Sequence, residues 1–205
     1  MTDSDSYLTI KNEAESEIKV KGSRFIGRVR ACADENEATA TLEAIRKKYY
    51  DATHNCFAYR VGLGREMKFR YSDDGEPSGT AGKPIYDQLE GRNLANTLIV
   101  ITRYFGGTKL GTGGLTHAYA DAAREVLDRA GIIEKLITGR IRMVVQFPDY
   151  SQIERLISQT GATTVNSDFS DIVKLEIELR LSYITMFKEK AVNLTSGRIR
   201  FEKKL

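Results

Sequence analysis

The chain has 205 residues, with 31 basic and 28 acidic side chains, two cysteines, no tryptophan and 17 glycines; that length holds one large domain or two of about 100 residues, each able to bury a core. A composition of 41% hydrophobic and 29% charged residues excludes a disordered or collagen-like chain. Cys32 and Cys56 cannot make a disulfide scaffold, the start Met1-Thr2-Asp3-Ser4-Asp5 lacks the basic and apolar stretches of a signal peptide, and the longest apolar run is Leu98 to Ile101, so a cytoplasmic protein without a membrane partner is expected.

Residues 7 to 20 and 24 to 31 read as paired strands around the Lys21-Gly22-Ser23 turn. Asp34 followed by Glu37 resembles a capping box, and Ala38, Leu42, Ile45 and Tyr49 continue as the apolar stripe of a helix laid on a sheet. Strands are expected at 55 to 61 and 94 to 102. A long helix buries Leu115, Ala118, Tyr119, Ala122, Val126 and Ala130 and stops at Gly131. Beyond it, Ile141, Met143, Val145 and Phe147 alternate with other residues, and Val173 to Leu181 alternate apolar with charged side chains, the period of strands with one wet face. Tyr150, Ile153 and Ile157 mark a helix between them, 163 to 169 pairs with 172 to 181, Ile184 to Leu194 forms a second helix, and 198 to 201 a last strand. The order β-α-β-β-α-β is the ferredoxin-like unit, with one sheet face left open. The chain is therefore α+β, divided into 1–138 and 139–205. The first part carries 20 basic and 20 acidic side chains and the second 11 and 8, so the net charge of +3 belongs to the second.

Eleven of the 17 glycines lie between Gly62 and Gly114, where the backbone must take special geometry or pass close to another group. The densest stretch is Arg103-Tyr-Phe-Gly-Gly-Thr-Lys-Leu-Gly-Thr-Gly-Gly114, between a strand and a helix. Its backbone N–H groups, the helix N-terminus, Arg103 and Lys109 suit an anion such as phosphate or carboxylate, with Gly106, Gly107, Gly111, Thr112, Gly113 and Gly114 as the cradle and His117 in the first helical turn facing it. It is not a Walker A loop, because Thr112 stands where lysine is required, and it fails the dinucleotide fingerprint at Thr116. No cofactor is expected.

The second stretch is Ser72-Asp-Asp-Gly-Glu-Pro-Ser-Gly-Thr-Ala-Gly-Lys-Pro84. Asp73, Asp74 and Glu76 are close enough in sequence to hold a hard cation or to divide acid and base roles. The better-supported reading is a turn in which they, Gly79, Thr80 and Lys83 cap and approach the helix starting near Thr80, or pair with the cationic loop. His54, Cys56 and Arg60 share one strand face, with His54 read as structural; no ligand spacing supports zinc, and no metal is expected.

These two loops, with Ala118-Tyr119 behind them, Lys21-Gly-Ser-Arg-Phe-Ile26 and Ala52-Thr-His-Asn-Cys-Phe-Ala-Tyr59, resemble the signature of the Impact family, whose bacterial members are YigZ-like. The resemblance spans nearly the whole chain. It implies an N-terminal ribosomal protein S5 domain 2-like fold and a ferredoxin-like second domain similar to the fifth domain of a translocation elongation factor. Eukaryotic members act in translational control by binding the activator of an initiation-factor kinase through an additional N-terminal domain. With the first strand expected near residue 7, that domain has no place here and the kinase role is not carried over.

Two functions follow. The first is a regulator of translation whose partners are the ribosome, RNA or a translation regulator, with the glycine loop on phosphates. The alternative is a small-molecule hydrolase or phosphotransferase in which Arg103, Lys109 and the glycine N–H groups hold an anion while Asp73, Asp74 or Glu76 serves as base or Mg²⁺ ligand. No catalytic residue is assigned, and the first reading is preferred because no nucleophile completes the set.

Overall fold

The computed structural model describes residues 5–202; the polar start at 1–4 lies outside them. They divide into two compact units, Tyr7–Lys135 and a second running from Leu136 onward that includes Asp5 and Ser6.

From Ser6 to Leu136 the order is β1 (Ser6–Ile10), β2 (Ala14–Val20), β3 (Ser23–Ala31), α1 (Glu35–Lys48), β4 (His54–Val61), a 3₁₀ turn, β5 (Lys68–Ser72), α2 (Gly82–Gly91), β6 (Thr97–Tyr104), α3 (Gly111–Ala130) and β7 (Ile132–Leu136). The main sheet runs β2-β3-β6-β4-β5, with every neighbouring pair antiparallel. β6 lies at its centre, which is why Leu98-Ile-Val-Ile101 is apolar on both faces. Leu98 and Val100 pack with Phe57, Tyr59, Val61 and the α1 stripe of Ala38, Leu42 and Ile45. Ile99 and Ile101 turn the other way, joining Cys56, Ala58, Ile85, Leu89 and the buried face of α3. The sheet is thus sandwiched between helices, α1 on one face and α2 and α3 on the other.

Local signals explain the helices. Asp34 Oδ1 accepts from the N–H of Asn36 and of Glu37, both at 2.9 Å, while Glu37 reaches back to the Ala33 N–H at 2.7 Å, a capping box shifted by one donor. α3 ends at Gly131, whose positive φ of 67° a residue without Cβ adopts at no steric cost.

The structure departs from the sequence reading at three strands. Residues 7 to 20 are two strands, and β1 leaves the main sheet to pair with β7, with the Lys11 N–H bonded to Gly131 O at 3.0 Å. β7 consists of exposed residues, so no alternation marks it. β5 is an edge strand with exposed Phe69 and Tyr71, which pack on the Tyr86 ring of α2 at 5.0 and 5.5 Å instead of entering the core.

The second unit follows the sequence closely: β8 (Thr138–Val145), α4 (Phe147–Thr160), β9 (Thr163–Phe169), β10 (Val173–Arg180), α5 (Tyr183–Leu194) and β11 (Arg200–Phe201). The sheet order β11-β8-β10-β9 is that of a ferredoxin-like domain. Register places Ile141 opposite Ile177, Met143 opposite Leu175 and Val145 opposite Val173, and these cross-strand pairs carry the core under Ile153, Leu156, Ile157 and Phe187. The opposite face presents Arg140, Arg142, Lys174, Glu176, Glu178 and Arg180. It pairs much of its own charge, with Arg140 Nε 3.3 Å from Glu178 and Arg142 Nε 3.4 Å from Glu176.

Asp149, in the first turn of α4, is buried and accepts Arg198 Nε and Nη2 at 2.9 and 2.6 Å, tying the segment before β11 to the helix. Arg198 holds the Asp149 carboxyl below the ordinary range, against the opposing effect of burial. The stabilisation is therefore present above the unfolded aspartate value of about 3.9 and is lost as pH falls through the lowered folded value. Asp149→Asn is expected to lower the thermal midpoint at pH 7, with the gap to wild type narrowing in melts taken at progressively more acidic pH.

Candidate functional site

Register builds the floor of the site. On the α3-facing side of the main sheet, Arg103 of β6 lies directly opposite Phe25 of β3 and opposite His54 of β4. Three side chains from three strands therefore meet at one sheet end, although 78 positions separate Phe25 from Arg103 in sequence.

The acidic loop folds over this floor. Arg103 Nη1 donates to Glu76 Oε1 at 2.5 Å, and the two side chains are 6% and 3% exposed. The Tyr119 hydroxyl donates to the same oxygen at 2.8 Å. Burial keeps the Tyr119 hydroxyl protonated, its pKa raised far above the ordinary tyrosine value, with nearby Cys56 and Glu76 adding to the rise. Tyr119 in turn packs edge-on against Phe25 at 5.2 Å. Cys56 Sγ lies 3.0 Å from Asp73 O and 3.3 Å from the Tyr119 hydroxyl, and burial drives its pKa strongly upward, so it is an inert core thiol. Both Glu76 bonds fall on Oε1; among the described residues Oε2 accepts none.

The other acidic-loop residues have separate structural work. Asp73 caps α2, accepting from the N–H groups of Gly79, Ala81 and Gly82 at 2.8 to 2.9 Å. Burial alone would raise its pKa, but these three donors overcome it and hold the carboxyl low. Asp74, at φ 46°, binds Arg46 Nη2 and the Asn55 N–H, each at 2.7 Å. The Thr80 hydroxyl donates to Pro77 O at 2.6 Å, and Lys83 pairs with Asp87 along α2. The three carboxylates therefore point to three different partners, and among the described residues no group of three His, Cys, Asp or Glu side chains is arranged to hold a metal ion.

The glycine loop closes the remaining side. Gly106 N–H donates to Ser23 Oγ at 3.1 Å, and a Cβ on Gly106 would stand 1.9 Å from the Gly22 carbonyl carbon, so the loop is pressed onto the β2–β3 turn. Gly113 is different: it is helical and exposed, with no atom within 4 Å of its Cβ position, so nothing in the fold requires glycine there. α3 begins at Gly111 with no side-chain cap, which leaves the first-turn N–H groups free for a partner. Lys109 is exposed and has no carboxylate partner among the described residues.

Between these parts lies a cleft of about 360 Å³ lined by Thr53, His54, Glu76, Pro77, Arg103, Phe105, Lys109, Leu110, Gly111, Thr112 and Leu115. It gathers Arg103, Lys109, Gly111, Thr112 and Glu76 from the sequence-derived residues. Gly106, Gly107, Gly113 and Gly114 shape the loop and helix start beside it, while Asp73, Asp74, Gly79, Thr80 and Lys83 brace the acidic turn. His117 is placed otherwise than its sequence position suggests. Because the helix starts at Gly111, His117 falls in the second turn, is exposed and does not line the cleft.

His54, read from sequence as structural, does line the cleft. Its Nδ1–H donates to the Asp74 carbonyl at 2.8 Å, so in the neutral ring Nε2 carries the free lone pair; Nε2 is 3.9 Å from Glu76 Oε1. Phe105, 47% exposed, stands at the rim with the Arg103 guanidinium 5.5 Å from its ring centroid.

Residues 21–127, the stretch that carries this cleft, match the family model for the Impact N-terminal domain. The chain belongs to the Impact family. Residues 143–198 match a domain of unknown function, DUF1949. The Impact-family member YvyE of Bacillus subtilis is 35% identical over 193 residues, covering 94% of this chain and 88% of that protein. YigZ of Escherichia coli, another member, is 32% identical over 180 residues, covering 87% and 88%. A crystal structure of a hypothetical protein, 30% identical, superposes with a TM-score of 0.69 over 98% of both chains. In this Impact-family chain the two loop motifs thus converge on one cleft, held together by the Glu76–Arg103 pair.

Two substitutions separate framework from surface. Arg103→Ala strands the Glu76 carboxylate in a buried site, and denaturant unfolding is expected to show a loss of about 3–5 kcal/mol. Gly113→Ala is expected to stabilise by about 0.5–1 kcal/mol in the same assay, since it removes only the entropic cost of helical glycine.

Proposed function

We propose that this Impact-family protein regulates translation by binding RNA, the ribosome or a translation factor, with phosphate contacts at the N-terminal end of α3. The observation that carries the reading is Lys109: an exposed cation with no carboxylate partner among the described residues, beside a helix start whose N–H groups have no side-chain cap. Together they offer charge and oriented donors to a phosphate. Family membership supports the translational setting, since eukaryotic members act in translational control.

The residue geometry narrows the proposal. Arg103 is committed to Glu76, so it serves as framework and Lys109 supplies the cation. The open face of the ferredoxin-like sheet pairs Arg140 and Arg142 with Glu176 and Glu178, and β8 and β10 place no aromatic residue on it, so it makes a poor stacking platform. The hydrolase or phosphotransferase alternative is weakened because Asp73 and Asp74 are occupied as a helix cap and an ion-pair partner. Among the described residues no helix is long and apolar enough to cross a membrane.

The test leaves Arg103 intact. Lys109→Glu is expected to reduce co-sedimentation with ribosomes and to lower the dependence of log affinity on log salt by about 0.7–0.9, the share of one phosphate contact. A wild-type protein that stays in the supernatant with ribosomes at low salt removes this reading.

A further inference from the structure

The cleft has two chemically different ends joined by an apolar wall, and RNA phosphate alone uses only one of them. At one end are the α3 N–H groups, Lys109 and the Thr112 side chain. At the other are two acceptors. Glu76, with a side chain only 3% exposed, has both its partners on Oε1 and no bond on Oε2 among the described residues. In the neutral ring of His54, Nε2 is an acceptor because Nδ1–H is used by the Asp74 carbonyl. The wall is Pro77, Leu110, Leu115 and the half-exposed Phe105 ring. A simple anion would leave the apolar wall and both acceptors unused, and an aliphatic anion would leave the exposed part of the Phe105 ring unused.

We propose that the cleft is a nucleotide pocket: a nucleobase bearing an exocyclic amine stacks on Phe105 and donates to Glu76, while its phosphate rests on the α3 N-terminus beside Lys109. About 360 Å³ is within the size range of small-ligand pockets. A carboxylate oxygen is the acceptor that recognises the N4 amine of cytosine, an aromatic face at the rim is the usual stacking partner of an unpaired base, and free helix N–H groups bind phosphate. Gly113 fits the same arrangement: where nothing in the fold requires a glycine, its bare backbone lets a phosphate approach the helix start. The inference rests on the proposed function in taking this helix end as the phosphate site, and adds that the cleft reads a base.

Calorimetric titration with CMP and UMP tests the reader without altering Glu76. UMP turns a carbonyl oxygen toward the carboxylate where CMP offers a donor, so CMP is expected to bind roughly 10-fold or more tightly. Phe105→Ala is expected to weaken CMP at least 10-fold with an unchanged melting temperature, and Gly113→Ala to weaken CMP while raising it. A hexamer of oligocytidylate run in parallel separates the sources of the chemistry: tighter binding than CMP assigns a nucleotide of an RNA strand, and equal or weaker binding assigns a free nucleotide. Equal affinity for CMP and UMP, unaltered CMP binding by Phe105→Ala, or no binding of either CMP or the hexamer at millimolar concentration overturns the proposal. If ribosomes still co-sediment in a Lys109-dependent way under any of those results, the base-reading pocket falls and the phosphate reading stands.

Discussion

The ion pair between Glu76 and Arg103 is the constraint on which the site depends. Neither charge is tolerated alone in such a buried position, and the desolvation of both is offset only when geometry and further hydrogen bonds are good. Here Tyr119 supplies the additional donor and the Phe25 ring lies beneath the guanidinium at 5.4 Å. The pair draws the 72–82 loop onto the end of the main sheet and ties β6 to α3 through Tyr119. It also determines what is left over. With Arg103 neutralised, the cationic character of the cleft passes to Lys109 and to the helix N–H groups, and with Oε1 doubly used, Glu76 keeps one oxygen for a group in the cleft.

The glycines are not one population. Gly106 is needed because two backbone segments touch there, and Gly82 is similar, since its Cβ would meet Ser72 backbone atoms at 2.7 Å. Gly113 meets no such demand. A single motif thus mixes residues that make the loop foldable with one that keeps a helix start bare, and the cost of the latter is the usual penalty of glycine within a helix. The phosphate contact proposed for this helix start is a physical reason for keeping it.

How much was legible in the sequence differs between the two units. The ferredoxin-like half could be read strand by strand because Val173, Leu175, Ile177 and Leu179 alternate with Lys174, Glu176, Glu178 and Arg180, and a one-sided sheet imposes that period. In the N-terminal half, β6 is buried on both faces and β7 on neither, so alternation fails at both extremes, and the break of residues 7 to 20 into β1 and β2 is marked only by the exposed polar Lys11-Asn12-Glu13. The two loops announced themselves through glycine and carboxylate density. The burial of Arg103 and the place of His54 did not, because both depend on the β3-β6-β4 register, which brings together residues far apart in the chain. His117 shows the converse: its closeness to the glycines in sequence suggested a role, and the earlier helix start at Gly111 turned it away. For Asp73 the helix start after Thr80 already hinted at a cap, but the three N–H donors that take its carboxylate are visible only once the turn is closed.

The central claim is that the first turn of α3 and the cleft beside it hold a nucleoside phosphate. Backbone amide spectra of isotope-labelled protein during titration with CMP test this most directly. The account predicts that the largest shifts occur at the N–H groups of Gly111, Thr112 and Gly113, with a second group at Phe105 and Glu76. Shifts concentrated on β8 and β10 of the ferredoxin-like sheet, or none at millimolar CMP, would contradict it.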